Sequence, residues 1–295
     1  MSTFDVQPRD HYENFPVASV LLPRRLRAPI SHIYHFARSA DDIADEGDDE
    51  PDIRLQKLAA YREALLCLGN GHAISASHPL YGVFGPLAHT IKTHGLPLQP
   101  FLDLLSAFEQ DVTTHRYADE AALLDYCTRS ANPVGRLLLH LYDADDAFNR
   151  SQSDAVCTGL QLVNFWQDVA IDWKKSRVYL PQDKLKRHGV SESHIDKGLC
   201  DAAWIALMSE QTTQARSLLL EGLPLARRLP GRIALELRMI VYGGLRILER
   251  MEQLHYDVFR HRPTLRKRDW ALLSWRTLRD AAHPHPTPAS STNEP

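Results

Sequence analysis

Two pairs of aspartates, Asp41 with Asp45 and Asp168 with Asp172, stand four residues apart in segments that read as helix. At about 100° per residue, this spacing stacks each pair one turn apart on one face. Like charges so placed repel by roughly a few tenths of a kcal/mol. From Ile30 to Asp45, one side carries Ile30, Tyr34, Arg38, Asp41 and Asp45. The apolar start of this stripe, with Ala37, predicts that it points at the core while Asp42 points to one side. In the second segment, Gln161, Asn164, Phe165, Asp168 and Asp172 share a face within a run of Leu, Val, Phe and Trp. Polar groups at helical spacing in so apolar a run need a partner or a metal. Taken alone, the first pair also fits a solvated acidic helix end.

Carboxylates in ones and twos, completed by phosphate and water, form the ligand pattern of Mg²⁺. Arg38 adds a planar fork suited to a diphosphate. Two such helices face to face would hold Mg²⁺ over a diphosphate and neutralise it as it leaves. Phe15, Tyr34, Phe36, Phe165 and Trp166 offer π faces that can line an apolar cavity and stabilise a carbocation. Packing in the core is the more ordinary role for each.

The elements that must position these residues read as helices. The 295 residues include 44% apolar and 24% charged side chains and only 14 glycines, with long stretches of Leu, Ala, Arg and Glu. Helices are expected over about 24–45, 119–142 with a break at Asn132-Pro133, 154–173, 202–228 and 232–260. Pro51, Pro79, Pro97, Pro181 and Pro230 punctuate the intervals. The reading is an all-α chain, one helical domain over 1–282 around a central cavity. A Pro/Ser/Thr-rich tail over 283–295 has too little to bury and reads as disordered. A net charge of −3 gives no footprint for nucleic acid. Neither a secretory leader nor a run of about 18 apolar residues is evident. Cys67, Cys127, Cys157 and Cys200 lie far apart and read as buried thiols of a cytoplasmic protein.

These residues resemble the squalene/phytoene synthase family over about residues 8–265. Asp41-Asp-Ile-Ala-Asp45, preceded by Tyr34 and Arg38, is similar to the family's first aspartate motif. Asn164, Asp168 and Asp172 are similar to the second. Tyr126-Cys-Thr-Arg-Ser-Ala-Asn-Pro-Val-Gly135 matches its tyrosine-to-glycine signature, and Arg177-Val-Tyr-Leu-Pro181 a basic and aromatic element. His11 matches an N-terminal histidine that contacts diphosphate. The resemblance implies an isoprenoid-synthase-type helical bundle and Mg²⁺ on Asp41, Asp45, Asn164, Asp168 and Asp172. It implies substrate contacts from His11, Tyr34, Arg38, Asn164, Arg177 and Tyr179 and a catalytic role for Tyr126; Gln161, on the second aspartate face, joins them, and Arg262 is a weaker candidate that fits a surface ion pair equally well.

Four departures bear on the branch. Glu13 stands where lysine is often found and Gln167 where arginine usually precedes the second motif. Asn132-Pro133 replaces small or apolar residues, and Gly243-Gly244 replaces a common tyrosine. With ENFPVAS, SANPVG and NFWQDVAIDW, the chain resembles the hydroxysqualene synthase branch of bacterial hopanoid biosynthesis. That branch ionises preformed presqualene diphosphate and quenches the rearranged cation with water. The resemblance implies partnership with a presqualene diphosphate synthase. A reductase would be separate, since no nicotinamide motif is present. Condensation of two prenyl diphosphates and a non-catalytic assembly role are the alternatives.

Quenching by water requires a group to hold it, and Glu13 and Asn132 are the expected ones, ahead of Asn14 and Gln167. Helix capping, or pairing of Glu13 with Arg24, is the competing role. Residues 264–280 mix basic residues with Leu265, Trp270, Leu273, Trp275 and Leu278. This predicts either a peripheral membrane contact or a terminal helix packed on the core.

Overall fold

The computed structural model describes residues 22–282. His11, Glu13, Asn14, Phe15 and the expected tail lie outside the described residues. The helix expected over 24–45 is α1 (Arg24–Asp45). It is followed by α2 (Pro51–Gly69), α3 (Tyr81–His94) and α4 (Gln99–Thr113). The break expected at Asn132-Pro133 separates α5 (Glu120–Ser130) from α6 (Asn132–Leu141). Then come α7 (Ala147–Gln167), α8 (Val169–Lys174), α9 (Gln182–His188) and α10 (Glu192–Lys197). The chain closes with α11 (Ala202–Gly222), α12 (Leu225–Arg228), α13 (Gly231–Gln253) and α14 (Lys267–Ala282).

Local chemistry sets several boundaries. The side chains of Asp119, Asp146 and Asp201 accept backbone N–H bonds at the starts of α5, α7 and α11. Pro224 separates α11 from α12, so the helix expected over 202–228 is two. Among the described residues, extended pairing is confined to one parallel bridge between Arg116 and Val178. Val178 N–H donates to the His115 carbonyl at 3.0 Å, and Gln182 N–H to that of Tyr117 at 2.9 Å. This bridge lays the 177–181 segment against the end of α4.

Two apolar clusters hold the bundle. One packs α1 to α4 with α6 around Leu26, Phe36, Leu58, Phe84 and Phe101. The other packs α5, α7, α11 and α13 around Trp166, Trp204, Met208 and Leu248. Phe36 and Trp166 are therefore core residues, not cavity lining; Phe36 meets Phe84 and Phe101 edge-on. The thiol reading holds for Cys127 and Cys157, whereas Cys67 is exposed and Cys200 half-buried. Helix α7 approaches α11 and α13 closely because glycines meet there. A Cβ on Gly244 would lie 3.0 Å from Leu160 and Leu219, and one on Gly222 2.5 Å from the Gln152 carbonyl. These contacts give Gly243-Gly244 a packing explanation at its second position.

Candidate active site

The core face of α1 is Leu26, Ile33, Phe36, Ala40 and Ala44. The stripe expected to point inward begins there with Ile30, but Tyr34, Ala37, Arg38, Asp41 and Asp45 are only half-buried beside it. The stripe thus lies at the edge of the core, where a carboxylate can meet a ligand without full desolvation. Helix α7 shows the same logic inverted. Between Ala155 and Gln167 every residue is buried except Gln161 and Asn164, which are half-buried like Asp168 beyond them.

The second aspartate helix is not continuous. Asp168 has φ −108° and ψ 13° and separates α7 from α8, in the bridge region common at active-site residues. The ladder continues around it, since Asp168 N–H donates to Asn164 and Asp172 N–H to Asp168, each at 2.9 Å. The result is a bend that leaves the second aspartate pair on one side.

Arginines join the two motifs. Arg177 donates to both oxygens of Asp45, at 2.8 Å and 2.5 Å, and to the Asp111 carbonyl at 3.2 Å. Its own N–H donates to the Asp172 carbonyl at 2.9 Å. Lys175 adds a contact to Asp45 at 3.3 Å. Arg262, a weaker candidate in the sequence, forks onto Asp168 at 2.5 Å and 3.0 Å. Arg38 spans Asp41 at 3.3 Å, Asp42 at 2.7 Å and Glu46 at 3.0 Å. Asp42 therefore shares the arginine of Asp41 although it lies to one side of the stripe.

These contacts set the electrostatics. Burial raises the Asp45 carboxyl, but the hydrogen bond and charge of Arg177 outweigh it and hold Asp45 below the usual range. Burial, then the charge of Asp168, pushes Asp172 up to about 7. A buried carboxylate crowded by a second one is what an added cation would relieve. Among the described residues no three ligand side chains are grouped so as to hold a metal ion by themselves. Asp41, Asp45, Asn164, Asp168 and Asp172 carry hard oxygen donors, the type that Mg²⁺ takes together with phosphate and water.

Aromatic rings floor this region. Phe165 stacks on Tyr179 at 3.7 Å with an interplanar angle of 7°, and Tyr117 and Tyr126 lean on Tyr179. The buried Tyr126 hydroxyl donates to Asp111 Oδ2 at 2.9 Å. Sequence reasoning missed Asp111, although it continues the apolar stripe of Leu104 and Phe108 on α4. Burial lifts its carboxyl to about 7 against the hydrogen bond from Tyr126 and the charge of Arg177. Among the described residues its Oδ1 has no hydrogen-bond partner.

A stability test follows for Asp111. A raised carboxyl adds stability that is complete below its ordinary value of 3.8 and is lost as pH rises through about 7. Within that window the contribution falls by about 1.4 kcal/mol per pH unit. Asp111→Asn stays neutral, so chemical unfolding should show its stability gaining on the parent by that slope as pH rises. A flat difference would mean that Asp111 titrates as an ordinary carboxyl.

Two candidates for holding water have other contacts. Asn132 is buried, and its Oδ1 accepts from Thr158 Oγ1 at 2.9 Å, tying α6 to α7. Gln167 is buried and donates to the Pro263 carbonyl at 2.5 Å. It anchors the loop that brings Arg262 to Asp168. A largely apolar cavity runs between α1, α6, α7 and α13, lined by Ile30, Gly135, Cys157, Leu160, Leu237 and Ile240 among others.

With this geometry in place, the comparisons with known proteins decide the family. The sequence profile of squalene/phytoene synthase matches residues 8–269. The chain belongs to the squalene/phytoene synthase family. It is 35% identical over 242 residues to hydroxysqualene synthase of Rhodopseudomonas palustris, covering 81% of this chain and 80% of that one. It is 40% identical over 180 residues to hydroxysqualene synthase of Sinorhizobium fredii, covering 61% and 58%. Phytoene synthase of Thermus thermophilus is 29% identical, over 96% and 93%. A crystal structure of a squalene synthase from Alicyclobacillus acidocaldarius superposes with a TM-score of 0.76 at 34% identity, over 83% of this chain and 90% of that one. Within the family, these identities group the chain with the hydroxysqualene branch.

Proposed function

We propose that the chain converts presqualene diphosphate and water to hydroxysqualene and diphosphate, with Mg²⁺ as cofactor. The observation that carries this reading is the bridging of the two aspartate motifs by Arg177, from the Asp45 carboxylate to the Asp172 carbonyl. Mg²⁺ held by Asp41, Asp45, Asn164, Asp168 and Asp172 would supply charge neutralisation for the departing diphosphate. Arg38, Arg177 and Arg262 now hold aspartates; transferred to phosphate oxygens, the same forks would orient the leaving group. His11 and Tyr34 are further candidates for that contact.

Loss of diphosphate breaks its C–O bond and leaves a cyclopropylcarbinyl cation. The Phe165 and Tyr179 rings would offer π faces to it, and apolar surroundings would keep bulk water from it. One water then bonds to the rearranged carbon, and its proton leaves with the diphosphate. Glu13 is the group assigned to hold that water; Asn132, whose Oδ1 is taken by Thr158, could reach it only through its amide nitrogen, and Tyr126 with Asp111 forms a further polar pair. The R. palustris and S. fredii relatives bear the name of this activity.

Incubation with presqualene diphosphate, MgCl₂ and ¹⁸O-labelled water tests it. Mass spectrometry should show hydroxysqualene carrying the label, with equal diphosphate released. Consumption of farnesyl diphosphate with no turnover of presqualene diphosphate would instead establish a condensing enzyme. No reaction with either substrate would favour a non-catalytic role.

A further inference from the structure

Helix α14 docks with its polarity reversed. The side it turns inward carries Asp269, Leu273, Thr277 and Asp280, exposed by 1%, 0%, 3% and 7%. Only one of the four is apolar. Asp269 is held by Arg250 at 2.7 Å and Arg246 at 2.8 Å, and Asp280 by Arg238 at 2.9 Å, all from α13. Buried ion pairs of this kind contribute little net stability but fix orientation, because any rotation strands a charge. The orientation they impose leaves Trp275 54% and Leu278 63% exposed. A helix free to choose its face would have buried that surface.

The outward side is also basic. At about 100° per residue, Ala271, Trp275 and Leu278 form its centre line, with Arg268 and Arg279 along one border and Lys267 along the other. The Arg279 guanidinium lies 4.6 Å from the centre of the Trp275 ring. The acidic groups packed near α14 point elsewhere: Asp269 and Asp280 are buried, and Glu249 is taken by Arg246 and Arg276. The outward side thus offers a Trp/Leu ridge with a basic border.

We propose that this face of α14 seats on an anionic lipid bilayer, with Trp275 and Leu278 in the interface and the basic border on lipid phosphates. The ridge supplies the apolar anchor and the cations supply attraction to the negative surface, a combination that holds helices in the interfacial plane. Among the described residues no helix is long and apolar enough to cross a membrane, so the contact is peripheral. The proposal stands apart from the reaction proposed above, since it uses none of the groups assigned to that chemistry as its anchor.

The test is flotation of the full chain with phosphatidylcholine vesicles, with and without phosphatidylglycerol, at low and high salt. Binding is expected on the phosphatidylglycerol vesicles and should weaken with salt. Trp275→Ser with Leu278→Ser should reduce it by roughly tenfold or more. Arg268→Glu with Arg279→Glu should reduce it on anionic vesicles only. Unfolding curves matching the parent establish that both variants are folded; if either is not, Trp275→Ser alone replaces it. Equal binding by parent and folded variants overturns the proposal. So does binding to inorganic phosphate without binding to vesicles. A dimer that the Trp275 and Leu278 changes dissociate, with no vesicle binding by the parent, would assign the face to a second copy of the chain.

Discussion

Asp168→Asn should lower kcat for diphosphate release by about three orders of magnitude, while Asp42→Asn should cost no more than about tenfold. Asp168 is the bend between α7 and α8, so its carboxylate occupies a place that the backbone sets. It is half-buried like Asn164 and Asp172, and Arg262 reaches it with two hydrogen bonds. Replacing one carboxylate oxygen by an amide nitrogen removes a hard donor and a full negative charge but keeps the shape. Asp172 should then titrate at lower pH, since the charge of Asp168 is the second cause of its rise. Asp42 shares Arg38 with Asp41 and Glu46, so its loss leaves that arginine two partners. Single-turnover release of diphosphate at saturating Mg²⁺ distinguishes a chemical loss from weaker binding. Comparable losses at Asp42 and Asp168 would remove the distinction between the stripe and its flank.

Gly222→Ala should destabilise the protein by about 2–3 kcal/mol, although alanine is favoured in a helix by about 1 kcal/mol. The added Cβ would lie 2.5 Å from the Gln152 carbonyl and 2.4 Å from a Val156 methyl. A backbone carbonyl inside α7 cannot step aside as a flexible side chain does, so α11 must move off α7. Helix α7 carries Asn164 and leads into Asp168, so the displacement should reach the site and reduce turnover even in the folded fraction. Gly82→Ala in α3 is the matched control, because nothing lies within 4 Å of its Cβ. That change should be neutral or mildly stabilising. Paired chemical denaturation of both variants measures the difference. Equal stabilities would mean that α7 and α11 tolerate separation.

By itself, the sequence determined the helical class, the course of α1, the break before Pro133 and the two aspartate pairs. All of these are local: periodicity, proline chemistry and i, i+4 spacing act within a few turns of chain. Tertiary structure decided which arginine meets which aspartate. Arg177 reaches Asp45 across 132 positions, and Arg262 reaches Asp168 across 94. No periodicity carries information over such separations. Asp111 was legible only as a polar residue on an apolar stripe; its meeting with Tyr126 required α4 and α5 to pack. Gln167, counted from the sequence as a charge lost near the substrate, proved to be a buried tie to the Pro263 carbonyl. Helix α14 makes the same point in reverse. Its sequence alone left two faces eligible for burial, and the arginines of α13 chose the one with Asp269 and Asp280. A buried carboxylate must have its counter-charge, whereas an exposed tryptophan loses only solvation free energy.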